Sequence, residues 1–331
     1  MKASGGKLSN RRRRTTMGKK MEWYAARVRN ISRKLCGRIT KKPMIGSKFG
    51  GKVVLEQQAG NDRIQQLLSQ KQPFMAGRFG STELAVMRSV VAYQLGVRKN
   101  VHPEVVNRIY ELSGFFPKDE QLTIRFSDLM CESCAKLDLI GTWFNLMEDY
   151  MIQHFAPQSE VTYLRAIEPW YHENPWSGAL KGKKVLVIHP FKNTIERQFA
   201  RRELLFPGTD ILPEFDLQVI RAVQTLADQT DERFANWFEA LDYMYEEAMK
   251  LDFEVAILGC GAYGFPLAAR LKAAGRQAIH MGGATQLLFG IRGSRWDSHP
   301  VISKLYNENW VKPNEDEKPA GFKKVEEGCY W

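Results

Sequence analysis

Short apolar runs alternate with helical segments over the second half of the chain, and this alternation restricts the possible folds more than any other feature. Four runs are predicted strands: Lys184–His189, Leu217–Ala222, Glu254–Leu258 and Gln277–His280. Three helical patterns separate them: Ile195–Phe206, Asp231–Leu251 and Tyr263–Ala274. Strands that are joined through helices pair in parallel and carry helices on their faces. We therefore expect an α/β fold with a parallel sheet flanked by helices.

The first half of the chain is predicted to be mostly helical. A helix at about 61–70 precedes a short strand, Pro73–Ala76, which runs into a glycine turn and a helix that begins at Ser81. A helical block covers about 102–156. The segment Lys42–Gly51 contains glycine and proline and is predicted to be a linker, so the globular domain is expected to span 44–331.

Positive charge is concentrated at the start of the chain. The formal net charge is +11, from 48 basic and 37 acidic side chains. Residues 1–43 hold 15 basic side chains and one acidic side chain, which leaves 33 basic and 36 acidic side chains for the rest. The mildly acidic remainder argues against a protein that binds nucleic acid over its whole surface. Residues 1–20 are polar, basic and without periodicity, and are predicted to be a disordered basic tail.

Residues 21–43 are predicted to form a basic amphipathic helix. Its apolar side chains recur at steps of one to five residues and are expected on one face: Trp23, Tyr24, Val28, Ile31, Leu35 and Ile39. Such a helix, flanked by Arg and Lys, is typical of segments that lie on an anionic membrane surface. Two alternatives stay open: a helix docked on the protein's own body, and an arm that binds nucleic acid through Arg11–Arg14.

Cysteine usage and hydropathy bear on location. Five scattered cysteines do not form a disulfide framework, which favours a reducing compartment. The chain has no apolar run of ~18 residues, and its basic start lacks the apolar core of a secretory signal. We expect a cytoplasmic protein that is peripheral on the inner face of the cell membrane.

The first candidate binding segment follows the strand that ends at Leu258. It has the pattern GxGxxG, from Gly259 through Gly261 to Gly264, and opens a helix. Glycines at this position let the backbone approach a diphosphate at the helix N-terminus. The next strand ends in His280 and not in the acidic residue that would bind the ribose of NAD. A nucleoside diphosphate is therefore favoured over NAD, and glycines that only permit tight packing are the alternative.

The second candidate segment follows the strand Pro73–Ala76. Arg78 and Glu83 lie on either side of a turn that contains Gly80 and Ser81. We expect Arg78 to contact an anionic donor group and Glu83 to be a metal ligand or a polar contact. In the alternative interpretation, Ser81 caps the helix and Glu83 is a carboxylate favoured by the helix dipole.

The third candidate segment follows the strand Lys184–His189. His189 and Glu196 are candidates for proton transfer. Lys192, Asn193 and Thr194 lie at a predicted helix N-terminus and suit phosphate or sugar hydroxyls. The alternative is a helix cap with solvated charges.

The fourth candidate segment follows the strand Gln277–His280. Its glycines lead through Gln286 to two arginines, Arg292 and Arg295. These arginines could neutralise a diphosphate, Trp296 could stack on a base or a sugar ring, and Asp297 is a further candidate base. The alternative is a buried tryptophan with surface arginines.

Two motifs resemble those of the bacterial GT-D-type glycosyltransferases, a family that was formerly a domain of unknown function. The stretch from Ala76 to Leu84 is similar to the family's RFGDGE turn. The stretch from Ala256 to Met281 and Gly282 is similar to its strand, glycine turn, helix and G-[YR]-Q-A-[IL]-x-[IM]-G pattern. The resemblance covers about 73–300 and implies a Rossmann-like domain, a nucleotide-sugar donor that is typically UDP-linked, and a divalent metal.

The resemblance also marks a departure at the metal motif. The family's metal-binding DxE aligns its Glu with Glu83, but its Asp with Ser81. One carboxylate and the diphosphate could hold Mn²⁺ or Mg²⁺ together with water, or basic side chains could replace the metal. The basic candidates are Lys192, Arg292 and Arg295.

These observations together predict a glycosyltransferase that moves a hexose from a nucleotide-sugar to a glycan. The basic helix favours a lipid-linked glycan acceptor and a role in surface polysaccharide biosynthesis. The acceptor is expected to contact an aromatic-rich segment through Glu168, Trp170, Tyr171, His172 and Trp176. The alternatives are an NAD(P)-dependent oxidoreductase, and a non-catalytic protein that binds nucleotides or nucleic acid.

Overall fold

A computed structural model describes residues 5–40, 47–225, 231–319, 321–322 and 328–331, without the side chains of 5–16 and 38–40. It contains a nine-stranded sheet: β1 (Lys48–Phe49), β2 (Lys52–Leu55), β3 (Phe74–Gly77), β4 (Leu139–Thr142), β5 (Glu160–Tyr163), β6 (Lys184–His189), β7 (Asp216–Arg221), β8 (Val255–Leu258) and β9 (Gln277–His280). The strand order is β1-β2-β5-β4-β3-β9-β8-β6-β7. Only the edge pair β1–β2 is antiparallel among the described strands. The predicted Rossmann-like α/β class is confirmed.

Ten α-helices lie in the described residues: α1 (Gly5–Thr40), α2 (Gln57–Ser69), α3 (Ser81–Gln94), α4 (Pro103–Ser113), α5 (Glu120–Cys134), α6 (Glu148–Phe155), α7 (Lys192–Phe199), α8 (Trp237–Met249), α9 (Gly264–Ala273) and α10 (Thr285–Leu288). Local sequence determines where several of these helices begin. The Asp119 carboxylate accepts a hydrogen bond from Leu122 N at 2.7 Å and caps α5. The Asn236 side chain caps α8 in the same way.

Helices cover both faces of the sheet, because the side chains of each strand alternate between two apolar cores. In β6, Leu186 and Ile188 join the core that includes α3, α5, α8 and α9. Val185 and Val187 face the other core, beside α2, α7 and the C-terminal segment. A strand buried on both faces reads as a continuous apolar run, which is why β6 was predictable at its observed bounds.

The predicted helical block at 102–156 is wrong in one respect. It contains α4, α5 and α6, but also the central strand β4, and β5 follows directly after it. An apolar run of four residues does not distinguish a buried strand from the face of a helix. Pairing of β4 with β3 and β5 decides the matter, through register such as Gly77↔Ile140.

The N-terminal helix is longer than predicted. It begins at Gly5, within the segment 1–20 that was expected to be disordered, whereas residues 1–4 and 41–46 lie outside the described residues. It packs on α6, where the Trp23 ring meets Tyr150 edge to face with centroids 4.8 Å apart. Trp23 is thus part of a docked face and not of an outward apolar face. Within the described residues no helix has both the length and the apolar character needed to cross a bilayer.

Candidate active site

A cavity of about 330 Å³ opens at the carboxyl ends of the parallel strands. Its walls come from the segments that follow β3, β4, β5, β6, β8 and β9. Ligands bind at this edge in open α/β sheets, because the loops that leave neighbouring strands converge there. The four segments selected from the sequence all reach the cavity. The segment after β3 contributes all of its candidate residues, whereas the others contribute only some.

Glycines bring the backbone of β8 and β9 to the cavity wall. Gly259 follows β8, and a Cβ at that position would lie 2.6 Å from both His189 Cδ2 and Thr285 Oγ1. Gly261 has a φ of +58°, a backbone conformation that glycine adopts at little cost, and it opens the turn before α9. Both glycines line the cavity. Neither position has room for a larger side chain without a shift of its neighbours, so the backbone itself forms this wall.

Arg78 is a cation that lines the same cavity as these glycines. It follows β3, lines the cavity, and donates from Nη1 to its neighbour Phe79 O at 3.1 Å. The His280 ring holds the same turn, since its Nδ1 lies 3.1 Å from Arg78 O and must donate to that carbonyl. Burial and the charge of Arg78 lower the pKa of His280 to about 3. A neutral histidine therefore holds the backbone at Arg78.

Glu83 and Ser81 line the cavity at the start of α3. The Glu83 carboxylate folds back over Gly80, where a Cβ would lie 1.7 Å from its Oε2. The motif thus offers one carboxylate and one hydroxyl. Within the described residues no three His, Cys, Asp or Glu side chains are grouped as metal ligands. The residues present do not fit a metal site built by the protein alone.

His189 lines the cavity, but its ring is arranged to donate a hydrogen bond and not to accept a proton. Its Nδ1 accepts a hydrogen bond from Phe191 N at 3.1 Å, so the ring proton lies on Nε2. Burial lowers the pKa of His189 to about 3, and the ring is neutral at physiological pH. His189 can donate a hydrogen bond from Nε2 to a ligand, and it has no accessible lone pair to take a proton.

Glu168, which we expected to contact the acceptor, lines the cavity, and its carboxyl differs from an ordinary polar contact in its affinity for a proton. Its carboxyl follows β5, and no described residue donates a hydrogen bond to it. Burial raises the pKa of Glu168 to about 7, against the opposing effect of the positive charges of Arg78 and Arg165. A buried carboxyl that exchanges its proton near neutral pH has the character of a general base or acid.

Aromatic side chains line the cavity, but none of them is among those expected for the acceptor. Trp143, which follows β4 and is 50% exposed, lines the wall beside Asn145. The Glu148 carboxylate holds this loop by accepting from Trp143 N at 3.4 Å and from Asn145 N at 2.8 Å. This loop was not predicted, because β4 fell within the predicted helical block. Strand assignment of Leu139–Thr142 would have revealed it.

The expected acceptor aromatics are structural. Trp176 is fully buried and donates from its indole N–H to Ile167 O at 2.9 Å. Trp170 is also buried, in the core beside α2 and α7. The His172 ring contacts Arg165 O, and Tyr171 packs under the Arg165 guanidinium. None of these four side chains lines the cavity.

Of its candidate residues, the third segment contributes only His189 to the cavity wall. The Glu317 carboxylate accepts hydrogen bonds from Asn193 N, at 2.6 Å, and from the Thr194 hydroxyl. Lys192 and Glu196 pair with one another at 3.8 Å on the solvent side. The N-terminus of α7 is therefore capped by a residue of the C-terminal segment. Its expected ligand contacts and the expected base Glu196 are not at the cavity wall.

The fourth segment contributes Gln286, Arg295 and Trp296 to the cavity wall. Arg295 donates to the Tyr330 hydroxyl at 2.7 Å, and Gln286 donates to Tyr330 O at 3.1 Å. These bonds hold the C-terminus, whose Tyr330 and Trp331 also line the cavity.

Two further candidates of the fourth segment turn away from the cavity. Arg292 stacks over Tyr306 and lies 3.8 Å from Asp297. Neither Arg292 nor the candidate base Asp297 lines the cavity.

No protein-family model matches the chain, and no curated protein matches it. Two solved structures of the domain of unknown function 1792 are similar to it at 13% identity, each over 81% of this chain and 93% of the other. One is a selenomethionine-substituted form, with a TM-score of 0.41. The other, with a TM-score of 0.42, is described as a highly conserved domain with a distinct glycosyltransferase fold. The two motifs of this chain resemble the same group of domains.

Proposed function

We propose that the protein is a glycosyltransferase that transfers a hexose from a nucleoside diphosphate sugar, in the first place a UDP-sugar, to a glycan acceptor. One observation carries the proposal. At the carboxyl ends of the strands, the glycine turns that follow β8 and β9 line one cavity together with the cation Arg78 and the Glu168 carboxyl, and Gly282 lies against the Arg78 guanidinium. This combination suits a diphosphate leaving group next to a hydroxyl that must lose its proton.

The diphosphate is proposed to lie between Arg78 and the glycine turns at Gly259 and Gly261. The bare backbone allows close approach of phosphate oxygens, and the guanidinium supplies paired donors and a positive charge. The His189 Nε2–H provides a further donor on the same wall. These groups stabilise the negative charge that develops on the departing diphosphate.

Glu168 is proposed as the catalytic base. The acceptor O–H gives its proton to the Glu168 carboxylate while its oxygen forms a bond to the anomeric carbon. The bond between that carbon and the phosphate oxygen breaks, and the diphosphate leaves with the electron pair. This single displacement inverts the configuration at the anomeric carbon.

The acceptor is proposed to be a lipid-linked glycan of surface polysaccharide assembly. Trp143 is half exposed at the cavity wall and offers an aromatic face on which a sugar ring can stack. The basic helix α1 suits a membrane-bound acceptor. Arg78 is proposed to supply charge that a metal supplies elsewhere in the family, because Ser81 replaces the carboxylate of the metal motif.

The test is calorimetric titration of the full chain with UDP, UDP-sugars, NAD and a single-stranded RNA, each with and without Mn²⁺. We expect binding of UDP and of at least one UDP-sugar. The bound UDP-sugar should be hydrolysed slowly to UDP, because water takes the place of the acceptor. Binding of NAD or RNA alone would instead support an oxidoreductase or a non-catalytic nucleotide-binding protein.

A matched pair of variants links that binding to the cavity. A Cβ on Gly259 would lie 2.6 Å from the His189 ring, whereas a Cβ on Gly178 would only reach ordinary contact, 3.4 Å from Asp210 Cβ. Gly259→Ala should weaken UDP binding, and Gly178→Ala should leave it unchanged. Circular dichroism confirms that both variants are folded. Equal UDP binding by the two variants would contradict the proposed donor site.

A further inference from the structure

The helix α1 carries two apolar faces on opposite sides, and only one of them is covered. The covered face holds Trp23, Ala26 and Asn30, which are buried against α6 and the loop before it. The Asp149 carboxylate fixes this face, since it accepts from Asn30 Nδ2 at 2.8 Å and from Arg33 Nη1 at 3.1 Å. The orientation of α1 about its own axis is therefore determined.

The uncovered face is a row of six large side chains, each 40–64% exposed: Met17, Met21, Tyr24, Val28, Ile31 and Leu35. Their spacing of three and four residues places them along one line, opposite the buried face. In the part of the chain that the structure describes, eleven large apolar side chains are exposed, and these six are among them. We call this row the outer stripe. A concentration of this kind marks a surface that binds something apolar.

The charges beside the outer stripe indicate what that surface binds. Arg27 and Lys34 are exposed seven residues apart along one flank, whereas Lys20, on the same flank, donates to Gly96 O at 2.7 Å. The other flank carries Gly18, Ala25 and Ser32 at the same intervals, and thus no carboxylate. Between 17 and 37 the helix has six basic side chains and one acid, Glu22, which lies 3.6 Å from His154.

A second copy of the chain does not fit this arrangement well. Two outer stripes in contact would bring basic flanks together, or would place each against a flank that has no acidic group to receive it. An anionic lipid surface offers both an apolar interior for the stripe and negative head groups for the basic flank. Charge complementarity therefore favours the lipid.

We propose that the outer stripe of α1 lies in the surface of an anionic membrane. Trp23 stays docked on the protein and does not insert. The covered face connects the lipid-bound helix to the cavity. Asn30 Oδ1 accepts a hydrogen bond from Met147 N at 3.0 Å, and Met147 lies in the loop that carries Trp143. A membrane-bound α1 thus holds one wall of the cavity at a fixed position relative to the lipid.

The test is flotation of the full chain with vesicles of phosphatidylcholine, alone or mixed with phosphatidylglycerol. We expect binding to the mixed vesicles and little binding to the neutral ones. Replacing Val28, Ile31 and Leu35 together by Gln should abolish flotation. Replacing the exposed Val53 and Leu204 by Gln is the matched control, because these side chains lie outside α1, and it should leave flotation unchanged.

The charge dependence has its own variant. Arg27→Gln and Lys34→Gln should each reduce the affinity for mixed vesicles about fivefold. Unchanged circular dichroism spectra should show that the variants are folded. UDP binding, at a cavity away from the outer stripe, should also be unchanged. Flotation that survives the triple substitution would overturn the proposal. Light scattering that shows a dimer lost in the triple variant, without vesicle binding by the original chain, would assign the stripe to a second copy instead.

Discussion

The Arg78 guanidinium occupies the space in which a side chain of Gly282 would stand. A Cβ on Gly282 would lie 2.2 Å from Arg78 Nη2, and Gly282 has a φ of +67°. The two residues follow neighbouring strands, since β3 and β9 pair through Gly77↔His280. Glycine is thus required for its backbone conformation and for the space it leaves to a cation.

Gly282→Ala should therefore damage ligand binding as well as stability. The new methyl group must displace Arg78, and we expect UDP binding to fall at least about tenfold, the equivalent of one lost charge-assisted hydrogen bond. Gly275→Ala is the control, because Gly275 has a φ of +88° with nothing within 4 Å of its Cβ. Both variants should lose about 1 kcal/mol through backbone strain. Equal titration curves for UDP would show that Arg78 does not contact the ligand.

Arg78→Lys should weaken UDP binding about ten- to a hundredfold, because an ammonium group cannot reproduce the two parallel hydrogen bonds of a guanidinium. Arg292→Lys should have no effect, since Arg292 stacks on Tyr306 away from the cavity. Calorimetric titration with UDP measures both. A larger loss of UDP binding in the Arg292 variant would instead support Arg292 as the residue that neutralises the diphosphate.

The pH dependence of turnover should reveal Glu168. Its pKa is about 7, and a base acts only when deprotonated. The value of kcat/KM should therefore rise as the pH increases through about 7 and level off above it. Glu168→Gln should lose this rise together with most of its kcat, and should still bind UDP.

Glu196→Gln is the matched control for that experiment, because Glu196 is exposed and pairs with Lys192 on the solvent side. Its pH profile should coincide with that of the unaltered enzyme. A pH profile that stays unchanged in Glu168→Gln would exclude Glu168 as the base. Retained anomeric configuration in the product would contradict the single displacement.

Asn30→Ala should separate α1 from the cavity wall. The substitution removes the buried hydrogen bonds to Met147 N and to Asp149, and leaves the Met147 N–H without its partner. We expect the free energy of unfolding to fall by about 1–3 kcal/mol. Ser32→Ala, on the exposed side of the same helix, should change it by less than about 0.5 kcal/mol. Urea unfolding followed by fluorescence measures both, and equal midpoints would show that the α1 contact is not stabilising.

The sequence by itself determined the order of the elements in the second half of the chain. Strand β6 was predicted at its observed bounds, and the helix α9 within a residue of them, because the apolar periodicity and the glycine turns are local signals. The same signals predicted that Arg78 and Gly259 follow strands and that His189 ends one. Parallel pairing then brought these residues to one edge of the sheet, where the cavity lies.

Tertiary structure alone decided which polar side chains reach the cavity. Thr194 follows a strand as the pattern required, but Glu317, 123 positions away along the chain, takes its hydroxyl. Trp23 has the spacing of a membrane-facing residue, but Tyr150 covers it. Strand periodicity depends on neighbouring residues, whereas a cap or a covered face depends on partners that only folding brings near. The sequence therefore located the site at a sheet edge, and long-range contacts selected its residues.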